Sequence, residues 1–361
     1  GGTIDLGTGT NAYDLTFANS GPAFTGTLTI QNWSYSGGKR IFFTDATHIG
    51  TVLAQIAFEG YGTGAAFNGA TNEIIPASLY YTVAGPGSGN FSSTASWQGG
   101  VVPPANSNIV VRSGFTLTLD GSYSLKSIDV SSGAVFSCTA ANTLTLGSAA
   151  AGYSKFSNNG TATFTDGTIV FGSAGGYIDG TTATTINNLT SSGPVRFKRA
   201  PAVNGLLLVN SGSAFTGSAP NYGTSSTLQY ATGGTYQRNV EWNNHTTGAG
   251  YPNHILISGA TEVRTDLYPV TVSTNDKIGL RGNLTIEAGS HLNHKNKWYL
   301  FYIGGNLSVD GTLSLSGGTS PGADMYLNGN WYRGTAGVID YNYATLSRWV
   351  YLQGSSNVTI S

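Results

Sequence analysis

Three Gly-Asn pairs recur in the last third of the chain, Gly282-Asn283, Gly305-Asn306 and Gly329-Asn330, at successive spacings of 23 and 24. Each opens the same kind of segment: Leu284-Thr285-Ile286, Leu307-Ser308-Val309 and Trp331-Tyr332-Arg333. A period of this length, filled with short alternating apolar runs and turn residues, fits one coil of a three-faced β-helix. Ordering such a coil costs about 1.5 kcal/mol per residue, more than its own few buried aliphatics return. A coil is therefore stable only when neighbours above and below pair its backbone groups and bury its side chains. The spacing predicts an all-β fold, a right-handed parallel β-helix (a solenoid).

Earlier segments read the same way. Ile109-Val110-Val111, Phe115 to Leu119 and Leu125 to Val130 are short strands divided by Gly, Ser or Asp. In the Gly-Asn register Leu284, Leu307 and Trp331 form one inward column and Ile286 sits under Val309, with Arg333 breaking the second column. A bulge or a slipped register is expected there. Asn and Gly are expected at these corners for their tolerance of left-handed dihedrals, and stacked Asn side chains can hydrogen-bond along the column.

The coils are expected over residues 105–361. Residues 1–80 differ in texture and predict a small mostly β unit with one short helix. Asp45 or Thr47 caps that helix, Ile49, Val52, Leu53 and Ile56 recur at helical spacing, and Gly60 ends it. Residues 81–104 form a junction in which Phe91 and Trp97, among Gly and Pro, predict an N-terminal cap over the coil core. The stretch 200–270 is less regular, and the polar residues 236–251 predict a loop projecting from the stack.

Composition narrows the partners. Only 9% of residues are charged, and 16 Lys and Arg balance 17 Asp and Glu, so no field draws nucleic acid or an anionic membrane. No apolar run is long enough to span a bilayer. Cys138 is the one cysteine and reads as a small buried hydrophobe. The chain starts at Gly1-Gly2 and stops in what reads as mid-strand. A region of a longer secreted precursor, with its targeting signals elsewhere, is the expectation.

Candidate sites are few. A polysaccharide lyase or hydrolase needs clustered acids, or basic residues near acids or bound calcium. Glu287 and Asp310 are the best pair, since alternation sends both outward, one coil apart, about 4.8 Å. Two acids so placed repel unless they share a proton or hold a cation. His291 and His294 point to opposite faces if their segment is a strand, which argues against a metal site. Arg196, Lys198 and Arg199 make a basic run too small for nucleic acid. Aromatics are the better binding feature: Tyr299, in the run 298–302, and Trp242 are candidate glycan contacts. No cofactor, metal or catalytic motif is expected.

The run Gly89-Asn90-Phe91, Ser96-Trp97-Gln98-Gly99-Gly100-Val101-Val102-Pro103 and Asn108 to Val111 resembles an opening found in very large exported proteins of Bacteroidetes. The segments Leu28 to Trp33, Arg40 to Phe43, Leu53 to Phe58 and Glu73 to Pro76 are similar to a small β unit recurring in those proteins. They are commonly type IX secretion substrates of adhesin-like or gliding-associated character. The resemblance reaches as far as about Ala140 and implies a non-enzymatic, extracellular stalk or adhesin at the cell surface. Its implied partners are surface glycans or other cell-surface proteins, and the secretion machinery during export. A polysaccharide-binding or polysaccharide-degrading β-helix and a subunit of a surface fibre or layer are the alternatives.

Overall fold

The computed structural model describes residues 1–8, 13–18, 25–33, 39–44, 52–59, 62–68, 72–77, 79–83, 86–98, 100–149, 152–265, 276–294, 299–315, 323–340 and 348–354. It is a parallel β-solenoid with a small mostly β unit at its start. The chain divides into two compact units, Gly1–Thr184 and Thr185–Ser361.

In the first unit, parallel pairing at roughly one-coil offsets begins at once. Gly2–Asp5 pairs with Leu28–Gln31, which pairs with Ile56–Phe58; Tyr13–Phe17 pairs with Lys39–Phe43. Antiparallel strands Gly62–Thr63, Ala65–Asn68 and Glu73–Pro76 close the two small sheets. Leu6, Ile30, Trp33, Ile41, Val52, Ile56, Phe58 and Ile74 fill the core between them. Most of the expected helix, residues 45–51, lies outside the described residues; Val52 is helical, Leu53–Gln55 is a 3-10 turn, and Ile56–Phe58, where the helix is expected to run on, is a strand. Ile56 and Phe58 alternate into the sheet core, and burial there outweighs the helical spacing.

Coils follow on three faces. The first face runs Leu79–Tyr81, Ser107–Val111, residues 127–130, Ser154–Asn158 and Gly176–Asp179, and stacks Ile109, Ile128, Phe156 and Ile178 in one buried column. The second stacks Leu117, Phe136 and Ala162, and the third Leu144 and Ile169. Outward residues of the first face are buried as well, because the opening β unit covers them: Lys155 Nζ donates to Trp33 O (3.4 Å) and pairs with Asp129 (3.8 Å). Phe91 and Trp97 are buried beside the first coil, with the Trp97 indole N–H donating to Phe91 O (2.8 Å) and Phe91 lying on Tyr123.

In the second unit one face is an unbroken parallel ladder: Thr185–Ser191, Leu206–Asn210, Thr227–Ala231, His254–Ile257, Leu284–Ile286, Leu307–Val309 and Trp331–Arg333. Leu207, Leu228, Ile255, Leu284 and Leu307 form the inward column, all buried, with Trp331 next in register. A second ladder starts at Thr235–Gln237 and a third at Asp276–Leu280. The expected break at Arg333 is neither a bulge nor a slip. Val309 pairs with Arg333 in ordinary register, and Arg333 is exposed, its Nε donating to Gly337 O (2.7 Å).

The Gly-Asn corners hold the stack as expected, but for a different reason. Asn306 N donates to Asn283 Oδ1 and Asn330 N to Asn306 Oδ1, both at 2.8 Å. His254 Nδ1 does the same for the preceding coil, accepting from Asn283 N (2.9 Å). None of these Gly and Asn residues has a positive φ. Glycine is required by crowding: a Cβ on Gly305 would lie 2.4 Å from Asn283 Oδ1 and 2.7 Å from the Gly282 carbonyl carbon.

Candidate functional surfaces and buried polar clusters

Glu287 and Asp310 are both exposed, each just after a strand of the main ladder. Because Ile286 pairs with Val309, they occupy equivalent places in successive coils. Asp310 leans toward the next coil, where a Cβ on Gly334 would meet its Oδ1 at 1.5 Å. The acid column therefore stops at two members. Among the described residues no group of three or more His, Cys, Asp or Glu is placed to hold a metal ion.

Trp242 is not on a projecting loop. Residues 238–242 fold inward, Trp242 is fully buried, and its indole N–H donates to Gly279 O (2.8 Å) while its ring packs near Phe301. A ring so enclosed offers no face to a sugar. The exposed part of that stretch is Asn243 and residues 246–248. Tyr299 opens the strand Tyr299–Ile303, and its side chain lies outside the described residues.

The aromatics that do gather on an outer face are Tyr302, Tyr326 and Tyr351. Their rings stack at 4.7 and 4.6 Å with interplanar angles of 15° and 12°, and His245 lies 5.8 Å below Tyr302. Register predicts this once the coils are aligned, since Tyr302 pairs with Tyr326 and Tyr326 with Tyr351. Trp349, beside the stack, is 61% exposed. Aromatic faces inside such a stack cover one another, so the ring edges and hydroxyls meet solvent.

The second ladder carries a polar string that runs across its coils. Glu262 accepts from Asn293 Nδ2 (2.6 Å) and Thr235 Oγ1 (3.1 Å), and its Oε1 lies 3.9 Å from His291 Nδ1. His291 Nε2 meets Ser314 Oγ at 2.7 Å. Burial acts to raise the Glu262 carboxyl, but the hydrogen bonds from Asn293 and Thr235, with His291 and Arg264 nearby, hold it below the usual range. The order Ser314, His291, Glu262 superficially matches a nucleophile, a base and an orienting acid. The match is incomplete: Ser314 is fully buried, and 3.9 Å is too long for a hydrogen bond. His294, expected on the opposite side from His291, is buried inside the coil; its Nδ1 meets Thr265 Oγ1 (2.9 Å) and its ring lies 4.6 Å from Phe301. Burial, then the charges of Arg238 and His291, push its pKa down to about 3.

Sequence reading missed the most unusual group. Glu241 is fully buried in the second unit. Its Oε1 accepts from Asn239 N (2.9 Å) and Tyr230 OH (3.1 Å), and its main-chain O accepts from Tyr222 OH (2.8 Å). Oε2 and the Tyr236 hydroxyl are buried without a hydrogen-bond partner. Burial pushes the Glu241 pKa up to about 7, against the Asn239 and Tyr230 hydrogen bonds and the Arg238 charge. Tyr222, Tyr230 and Tyr236 are all raised by burial and by Glu241. No motif marks such an acid; only the coil register shows that 238–242 turns inward.

Cys138 is buried, as expected, with Sγ near Ala140 O (3.2 Å). Among the described residues no helix is long and apolar enough to cross a membrane. No family model, no curated protein and no solved structure matches the chain.

Proposed function

We propose that this chain is a segment of an extracellular stalk or adhesin at the bacterial cell surface, a right-handed β-helix that acts by presenting surface rather than by catalysis. The observation that carries the reading is the seven-strand ladder in the second unit, in which each coil repeats the inward column of the last. Stacked coils of this kind resist extension through many parallel hydrogen bonds and display flat outward strips. The low charge agrees with it, as does the resemblance of the chain before about Ala140 to exported Bacteroidetes proteins. Surface glycans or other cell-surface proteins are the partners, and type IX machinery the export route.

A polysaccharide-binding solenoid is the second reading, favoured by the Tyr302, Tyr326 and Tyr351 stack. The two separate on one comparison. Cells lacking this segment should lose attachment to surfaces or to other cells, while purified chain releases no reducing ends or unsaturated products from a polysaccharide panel. Product release by the purified chain would overturn the stalk reading. Retention on a polysaccharide column that fails when Tyr326 and Tyr351 become Ala would favour the second.

A further inference from the structure

We infer that residues 238–250 form a proton-operated joint in the second unit, folded into the coil while Glu241 is neutral and released when Glu241 loses its proton. The stretch lies where the coil changes its construction. Before it, the second and third faces are Pro194–Phe197 with Ala214–Gly217, and Ala202–Val203 with Asn221–Tyr222. After it, those faces are the ladders that begin at Thr235–Gln237 and Asp276–Leu280. Residues 238–250 stand in for a strand at that level. Arg238 N donates to Arg264 O (3.1 Å), Gly279 N to Asn244 O (3.2 Å), Gly250 N to Pro220 O (2.8 Å), and Trp242 Nε1 to Gly279 O (2.8 Å).

Burial is what favours the neutral carboxyl at Glu241; the Asn239 and Tyr230 hydrogen bonds and the Arg238 charge favour the carboxylate and offset burial only in part. Tyr230 faces it from the strand Thr227–Ala231 of its own coil, Tyr222 from the strand Asn221–Tyr222, and Tyr236, Arg238 and the Asn239 amide from its own stretch. Among the described residues Arg238 is the sole cation acting on it, and the Nη1 of that guanidinium already donates to Trp242 O (2.7 Å). Farther out, His294 feels the charge of Arg238, and Arg281 Nη2 donates to Tyr222 O. A carboxylate with Oε2 unmet in the interior is costly, whereas a proton on Oε2 turns that atom into a donor toward the facing Tyr236 hydroxyl. The exposed residues 246–248 leave the stretch a short way out to water. The carboxyl's titration near neutrality puts the change within an ordinary range of surroundings.

Hydrogen exchange of the whole chain at about pH 6 and about pH 8.5, corrected for intrinsic exchange, tests this. Wild type should open peptides covering 236–250 about tenfold more per pH unit above the titration, with residues 284–309 unchanged. Glu241→Gln, which mimics the neutral acid, should show no such dependence. Equal protection of wild type at both pH values, or the same opening in E241Q, overturns the joint. Should E241Q fail to fold, infrared spectra of wild type with labelled Glu decide it. A buried protonated-carboxyl band at the lower pH that vanishes at the higher supports the proposal, and its absence at the lower pH overturns it.

Discussion

Single residues set the tolerances of this solenoid. At Gly305 a methyl group would strike Asn283 Oδ1 and the backbone of Gly282, both parts of the coil beneath. Gly305→Ala should therefore destabilise the second unit by about 1–3 kcal/mol, read as a lower urea midpoint with unchanged slope. Two buried titrating groups add a pH dependence that is hidden in wild type. Glu241, raised from 4.5 to about 7, stabilises the fold fully below pH 4.5, and that contribution is lost as pH rises to about 7. His294, lowered from 6.5 to about 3, stabilises fully above pH 6.5, and its contribution is lost as pH falls toward 3. Between pH 4.5 and 6.5 the two slopes oppose each other and nearly cancel. Glu241→Gln should expose the His294 slope, with stability rising by up to about 1.4 kcal/mol per pH unit across that window. His294→Asn should expose the opposite slope. Urea titrations at four or five pH values check both; flat profiles in the two variants would show that these groups do not titrate as buried.

Most elements here are strands of two to five residues that mean little without their register. Trp242 shows what register decides: its neighbours in sequence are polar, yet the turn at 238–242 places its ring in the core against Phe301 and its N–H on Gly279 O. Trp242→Ala should cost about 3–5 kcal/mol, whereas substitution of exposed Thr246 should leave the melting temperature within a degree or two. A surface role for Trp242 would reverse that order. Cys138 sits on a strand beneath Phe164 in the next coil. Its thiol should resist a water-soluble alkylating reagent in the folded chain and react readily in urea, which mass spectrometry reads directly.

At the scale of the molecule, each unit grows by whole coils. Leu284 and Leu307 occupy equivalent places on the first face, His291 and Thr312 on the second, Tyr299 and Ala323 on the third. Removing residues 284–306 therefore joins equivalent corners. The shortened chain should keep its far-UV β spectrum and a cooperative melt. Removing 284–294 alone should abolish the cooperative melt, because every later strand would then meet the wrong face. A half-coil deletion that folds as well as the full-coil one would refute coil-wise stacking.

The residues by themselves determined the repeat and its inward columns. Leu284 over Leu307, Ile286 over Val309, and the Asn ladder between them follow from the regular recurrence of Gly-Asn with alternation inside it, because stacking demands like residues in like places. They also determined that His291 and His294 lie on opposite sides, since a strand points neighbours to opposite faces. Sequence could not set coil length where the period drifts. Leu228 pairs with Ile255, and Ile255 with Leu284, so both of these coils are several residues longer than the one from Leu284 to Leu307. The first of them, from Leu228 to Ile255, is where 238–242 turns inward. Tertiary structure alone decided that Trp242 and Glu241 are core, that Gly305 answers to crowding rather than to dihedral, and that Tyr302, Tyr326 and Tyr351 align. Each depends on distances between residues a coil or more apart in the chain, which alternation and composition do not encode.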